Sequence, residues 1–228
     1  MVGGVKQLLL ICAVVMGQSV LAADKKPLTK EESAKVIEAA IRKAAKKPTG
    51  ELNKADLEKV TKLYLHINKL TDVKGLEKLT QLTYLELYNN QLTNVKGLEK
   101  LTHLEELYLA LNKLTDVKGL EKLTKLEKLS LNYNKVTEIP NGLERLTQLR
   151  ALRLDYNQLT EVPKGLEKLT QLTTLFLNSN QLTDVKGLEK LTKLERLVLM
   201  YNPDLTKAQM AELKKALPKC KISSSPTK

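Results

Sequence analysis

The chain has no tryptophan, one phenylalanine, two histidines and two cysteines in 228 residues. Each scarcity removes a class of function. Two cysteines, Cys12 and Cys220, cannot build a disulfide framework or a Cys-based metal site. No Gly-rich phosphate loop, His/Cys cluster or serine-nucleophile motif is present, so the chemistry of an enzyme has little to stand on. Long apolar runs are missing too. The stretch from Leu8 to Met16 falls short of the roughly 20 apolar residues that span a bilayer. With so few aromatics and a hydrophobic content of 42%, the interior must be aliphatic, and leucine recurs throughout.

What is present in abundance is repetition. The string N-x-L-T-x-V-K-G-L-E-K-L-T begins at Asn68, Asn90, Asn112 and Asn180, and looser copies begin at Asn134 and Asn157. With Asn202, these asparagines follow one another at steps of 22, 22, 22, 23, 23 and 22 residues. The two longer steps carry Pro140 and Pro163, so the same connecting loop has twice accepted one extra residue. Each unit fits L-x-x-L-x-L-x-x-N-x-L, as Leu82, Leu85, Leu87, Asn90 and Leu92 do in the second.

On these residues the chain resembles the leucine-rich-repeat family over residues 60–205. Its 22-residue units are similar to those of bacterial internalins, and the two Pro-bearing units to the common 23-residue class. The resemblance implies an α/β solenoid, a curved horseshoe with a parallel concave sheet of about seven strands and a helical cap at each end. The alternation in L-x-L agrees: along a strand the two leucines point inward and the residues between them outward. One unit cannot bury its own leucines, so its neighbours must cover them. The asparagines Asn68, Asn90, Asn112, Asn134, Asn157, Asn180 and Asn202 read as a structural ladder, each amide satisfying backbone groups at the inner turn.

The ends carry other signals. Residues 1–23 read as a secretory signal, with Lys6, a short apolar run and small residues for cleavage near Ala22/Ala23; an uncleaved amino-terminal anchor is the alternative. Cys12 follows Ile11 rather than the small residue of a lipoprotein signal, and leaves with the segment. Residues 24–59 form the expected N-terminal cap, with a helix over 29–47 begun by the Thr29/Glu32 capping box and a second from Asn53 to Lys59. Residues 206–222 form the C-terminal cap, begun by Thr206/Gln209, and 223–228 a disordered tail. The expected location is secreted or periplasmic.

Comparing the copies separates scaffold from function. The residue between the strand leucines runs Tyr64, Glu86, Tyr108, Ser130, Arg153, Phe176, Val198, and the next outward one His66, Tyr88, Ala110, Asn132, Asp155, Asn178, Met200. Tyr84 precedes its strand, while Tyr133, Tyr156 and Tyr201 precede their asparagines. Every aromatic therefore falls in a variable position on or beside the concave strands, where aromatic side chains make good anchors for partners. High β-propensity of tyrosine is the plainer explanation. The expected cluster is Tyr64, Tyr84, Tyr88 and Tyr108 with His66 and Glu86; a second patch joins Tyr133, Arg153, Asp155, Tyr156 and Phe176.

The formal charge of +12 raises the question of nucleic acid. The outward strand positions mix Lys62, Lys128, Arg153 and Arg196 with Glu86, Glu106 and Asp155, and a basic groove for single strands should not be mixed. The excess is expected on the convex segment, as in Lys74, Glu77 and Lys78, where it serves solubility. Asp155 beside Arg153 reads as an exposed pair. The sequence thus predicts a protein ligand on the concave face, with an envelope polysaccharide or a pure spacer role as alternatives. It predicts no catalysis, cofactor or metal, and no nucleic-acid partner.

Overall fold

The computed structural model describes residues 26–225, so the signal-type segment and the last three residues lie outside the described part. Helix α1 (Lys30–Ala44) starts where Thr29 Oγ1 accepts from the Glu32 amide (3.1 Å) and the Glu32 carboxylate accepts from the Thr29 amide (2.7 Å). It buries Ile37 and Ile41 against the end of the leucine core. Ser33, also buried, accepts from the Thr71 amide at 3.2 Å, and Thr71 Oγ1 donates to the Leu28 carbonyl at 2.8 Å. These bonds fasten the cap to the first coil. A five-residue helix, α2 (Lys54–Glu58), follows with Asn53 as its N-cap.

The repeats then lay down three-residue strands: β1 (Lys62–Tyr64), β2 (Tyr84–Glu86), β3 (Glu106–Tyr108), β4 (Lys128–Ser130), β5 (Ala151–Arg153), β6 (Thr174–Phe176) and β7 (Arg196–Val198). All pair in parallel and in sequence order, with leucines in register from Leu63 through Leu85, Leu107, Leu129, Leu152 and Leu175 to Leu197. Between strands the chain crosses the convex side through a short 3-10 turn, such as Leu76–Lys78, preceded by a glycine at φ near +100° (Gly75 at +104°). Only glycine enters that region without a Cβ penalty. In the four 22-residue units that carry the unbroken string, the turn glutamate folds back onto this glycine's amide, Glu77 on Gly75 and Glu99 on Gly97 both at 2.6 Å.

The asparagine ladder runs beneath the strands. Asn112 Oδ1 accepts from the Leu92 amide (3.0 Å), and its Nδ2 donates to the Leu87 (2.9 Å) and Leu109 (3.1 Å) carbonyls. The same three-way bridge to the preceding coil repeats from Asn90 to Asn202. Asn68 has no repeat coil before it, and its Nδ2 reaches only the His66 carbonyl at 2.8 Å. The spacing changes where the 23-residue units begin, and a small apolar void of about 20 Å³ remains there among Val117, Leu129, Ile139, Pro140 and Leu154.

After β7, helix α3 (Lys207–Ala216) buries Met210 and Leu213 over the last coil. The chain then adds an eighth strand, β8 (Lys221–Ser223), paired in parallel with β7. The sheet therefore has one strand more than the repeat count implies, and Ser223 belongs to it rather than to a tail. No L-x-L marks this strand; Ile222 alone takes the inward position, opposite Leu197.

A central rung satisfies three buried backbone groups, whereas Asn68 satisfies one. Asn112→Ala is expected to cost about 3 kcal/mol or more, from three unmet buried hydrogen bonds at ~1–3 kcal/mol each, and Asn68→Ala, with one half-buried bond, about 1 kcal/mol. Urea unfolding midpoints of the two variants check the ranking, and equal shifts would refute it.

Candidate functional site

The concave face is built from the outward strand positions and the turn just after them. On β1 to β3 the rings of Tyr64, Tyr84 and Tyr108 form a tilted row, with centroids 5.5 and 5.6 Å apart and interplanar angles of 47° and 50°. Tyr84 is not ahead of its strand but its first residue, in register with Lys62 and Glu106. Its hydroxyl donates to Glu86, and that of Tyr108 donates to Glu106. Glu106 also pairs with Lys128 at 3.0 Å. Behind this row His66 stacks on Tyr88, 4.7 Å between centroids and 2° from parallel. His66 Nδ1 lies 2.9 Å from Glu86 Oε2, out of line for a hydrogen bond, so this contact is one of charge when the imidazole is protonated.

The second predicted patch divides into two groups. Tyr133 and Tyr156 stack face to face at 4.1 Å and 9°. Both stand in the turn, at φ of 56° and 55°, in the left-handed region that every residue before a ladder asparagine occupies. Arg153 forks onto Asp155 with bonds of 3.1 and 2.9 Å, and its guanidinium lies 4.8 Å from the Phe176 ring centre. The expectation of an exposed pair fails here: Arg153 is 9% exposed and Asp155 1%. The Phe176 ring lies against the Arg153 guanidinium, so the pair braces the face, and a buried pair that satisfies itself contributes order more than net stability.

One face residue escaped the sequence reading: Ile67 stands exposed in the same left-handed turn as Tyr201, and its place one residue before Asn68 was the available signal. Arg196, read as an outward strand position, flanks Phe176 from β7 at 5.1 Å.

The charge placement also differs from expectation. On the convex side the lysine rows that include Lys74 and Lys78 alternate with acidic rows that include Asp72 and Glu77, and these balance. The excess is spread along the chain instead: ten basic residues against seven acidic over 24–59, 21 against 18 over 60–205, and six against one over 206–228. Backbone amides of Glu99 and Gly97 hold the Glu99 carboxyl below its ordinary range. Among the described residues no three His, Cys, Asp or Glu side chains are grouped to hold a metal ion. Burial pushes the half-buried Cys220 thiol up, away from the reactive thiolate form.

Burial, and then the bonds to Glu86 and Glu106, push the Tyr84 and Tyr108 hydroxyls far above the ordinary tyrosine value. Folded phenols that keep their protons while unfolded ones lose them contribute stability that is complete below pH about 10 and falls as pH rises beyond it. The urea midpoint of the protein is expected to drop more steeply between pH 9 and 11 than that of a Tyr84→Phe, Tyr108→Phe variant. Parallel slopes would refute this.

Comparison with known proteins bears on the whole repeat region. The family described as "Leucine Rich repeats (2 copies)" matches residues 58–100, 80–122, 102–145 and 124–168, and "Leucine rich repeat" matches 147–203. No curated protein matches the chain. Among solved structures, internalin C2 of Listeria monocytogenes is 28% identical with a TM-score of 0.77, covering 85% of either chain. An internalin (inlF) of the same organism is 29% identical with a TM-score of 0.72; the match covers 84% of this chain but only 55% of that one. A leucine-rich-repeat protein of Leptospira interrogans is 28% identical with a TM-score of 0.56, covering 74% of this chain and 55% of its own. With family matches running from residue 58 to 203 and internalin-like coils on either side of the Pro-bearing units, the chain belongs to the leucine-rich-repeat family.

Proposed function

We propose that this chain is an exported binding scaffold that docks a protein partner on the concave face of its sheet, and that it is not an enzyme. Leucine-rich-repeat proteins such as internalins mediate protein–protein interaction, which supports the partner class. The observation that carries the reading is the row Tyr64–Tyr84–Tyr108, in which the Tyr84 and Tyr108 hydroxyls are tied to carboxylates of the same face. Rings held in this way lose little freedom when a partner covers them, and preorganisation of that kind lowers the cost of binding. Aromatic anchors near the middle of a contact surface carry much of its energy.

Size bounds the affinity. Strands about 4.8 Å apart give seven of them a span of roughly 30 Å. A usable width on the order of 15 Å gives roughly 450 Å², below the ~800 Å² per partner of a standard interface. Moderate or transient binding follows, unless the partner also grips a rim or a cap.

Export rests on residues 1–23, their charged start and short apolar run. No helix among the described residues is long and apolar enough to cross a membrane. The mature protein would comprise the cap from residue 24, the repeats over 60–205 and the C-terminal segment. Mass spectrometry of the protein from its native host is expected to find an N-terminus at or next to Ala23; a chain retaining Met1 would overturn export by cleavage.

The site is tested by capture from envelope extract of the native organism. The protein is compared with a Tyr84→Ala, Tyr88→Ala, Tyr108→Ala variant of matched unfolding midpoint. Prey retained by the protein and reduced at least tenfold with the variant supports the concave face. Equal capture removes the site assignment.

A further inference from the structure

The carboxylates of the concave strands are all engaged: Glu86 by Tyr84 and His66, Glu106 by Tyr108 and Lys128, Asp155 by Arg153. The cations are not. Lys62 stands over the Tyr84 ring at one end (5.8 Å), and at the other end Arg196 has no carboxylate within ion-pair distance among the described residues. Register places Lys221 of the eighth strand beside Arg196. Lys221 is exposed and equally unpaired among the described residues. Half-buried Arg196 and exposed Lys221 thus stand side by side without a carboxylate, where Lys62 at the other end stands alone.

Their surroundings are apolar. Phe176 on β6 is in register with Val198 on β7, and by strand alternation Met200 follows on the same face, with Tyr201 exposed in the adjoining turn. The Arg153 and Arg196 guanidiniums lie 4.8 and 5.1 Å from the Phe176 ring centre, which fixes Arg196 in place by cation–π attraction. A base or sugar ring would have to displace them to stack on Phe176. A carboxylate needs no such displacement, because the planar guanidinium keeps its edge donors free for a bidentate pair.

We propose that the C-terminal third of the concave face is a separate subsite for an acidic, apolar peptide segment. Its carboxylates pair with Arg196 and Lys221, and its aliphatic or aromatic side chains lie along Met200 and Tyr201. The inference rests on the concave face being the binding surface, and it assigns to that surface a second contact chemically unlike the tyrosine row.

The test uses the full chain and fluorescein-labelled peptides in polarisation titrations. One peptide alternates Glu and Leu, a second replaces Glu by Gln, and a third is Glu throughout. The Glu-Leu peptide is expected to bind at least tenfold more tightly than either control. Arg196→Gln with Lys221→Gln should weaken it at least tenfold, Arg196→Lys should give an intermediate loss, and the triple tyrosine variant should leave it unchanged. Lys221 is exposed and Arg196 half-buried, and an unchanged urea midpoint shows that the variants fold. Binding that survives the double substitution overturns the subsite. So does equal affinity for the all-Glu peptide, or no binding at concentrations up to roughly 1 mM. If the subsite falls while the tyrosine variant still loses its envelope prey, the concave reading stands; if both leave binding intact, both fall.

Discussion

Everything on the concave face depends on the buried asparagine amide at the end of each strand. A coil that turns sharply out of a strand leaves backbone amides and carbonyls pointing into a leucine interior, where an unmet group costs ~1–3 kcal/mol. One asparagine answers three of them, and two of the three, the Leu92 amide and the Leu87 carbonyl in the case of Asn112, belong to the preceding coil. The bond that closes one turn therefore also sets its distance from the last. Uniform strand register follows, and with it the fixed spacing of the side chains that stand outward.

The ladder has a second consequence in the residue before each asparagine. Ile67, Asn89, Leu111, Tyr133, Tyr156, Ser179 and Tyr201 all adopt φ between 55° and 59°, a region that costs an L-residue roughly 1–2 kcal/mol. Glycine would relieve that strain, yet it occurs at none of these positions, although the chain does place glycine at each convex turn of the same sign. The difference lies in what the positions present. A convex turn glycine such as Gly119 would bring an added Cβ within 3.2 Å of Glu99, whereas the concave turns project their side chains outward at the rim of the sheet. Tyr133 and Tyr156 meet there as a parallel stack because consecutive turns repeat the same backbone geometry one strand apart.

Repetition also explains what could and could not be read from sequence. The leucine positions, the parallel sheet and the asparagine ladder are legible because each is written several times, so the period carries the information even where one copy drifts. The eighth strand is written once. Lys221-Ile222-Ser223 offers a single aliphatic residue and becomes a strand only because β7 presents an unpaired edge to it. Site residues divide in the same way. Alternation along L-x-L gives the direction of Tyr64 and Phe176, but not that Arg153 and Asp155 are roofed over by their neighbours, since lateral burial depends on side chains a repeat away. A net charge of +12 likewise conceals that the convex rows balance and that the excess is shared by both ends and the remaining repeat positions.

These observations separate two kinds of polar residue that look alike in the sequence. Glu86, Glu106 and Asp155 are consumed by the face itself, holding rings and guanidiniums in position, and removing any of them would loosen a neighbour before it deprived a partner of a contact. Arg196 rests on the Phe176 ring, but neither it nor Lys221 pairs with a carboxylate among the described residues. On a face whose carboxylates are all engaged, an unmatched cation is costly only in self-repulsion and useful only to something outside the chain. A rigid solenoid cannot reshape itself around a ligand, so its selectivity has to be written into which of its groups are left unsatisfied. On this sheet those are ring surfaces at the N-terminal end and cations beside apolar side chains at the C-terminal end. A partner that spans both must carry, along one extended stretch, an apolar part and then an acidic one, which is a stricter requirement than either patch imposes alone.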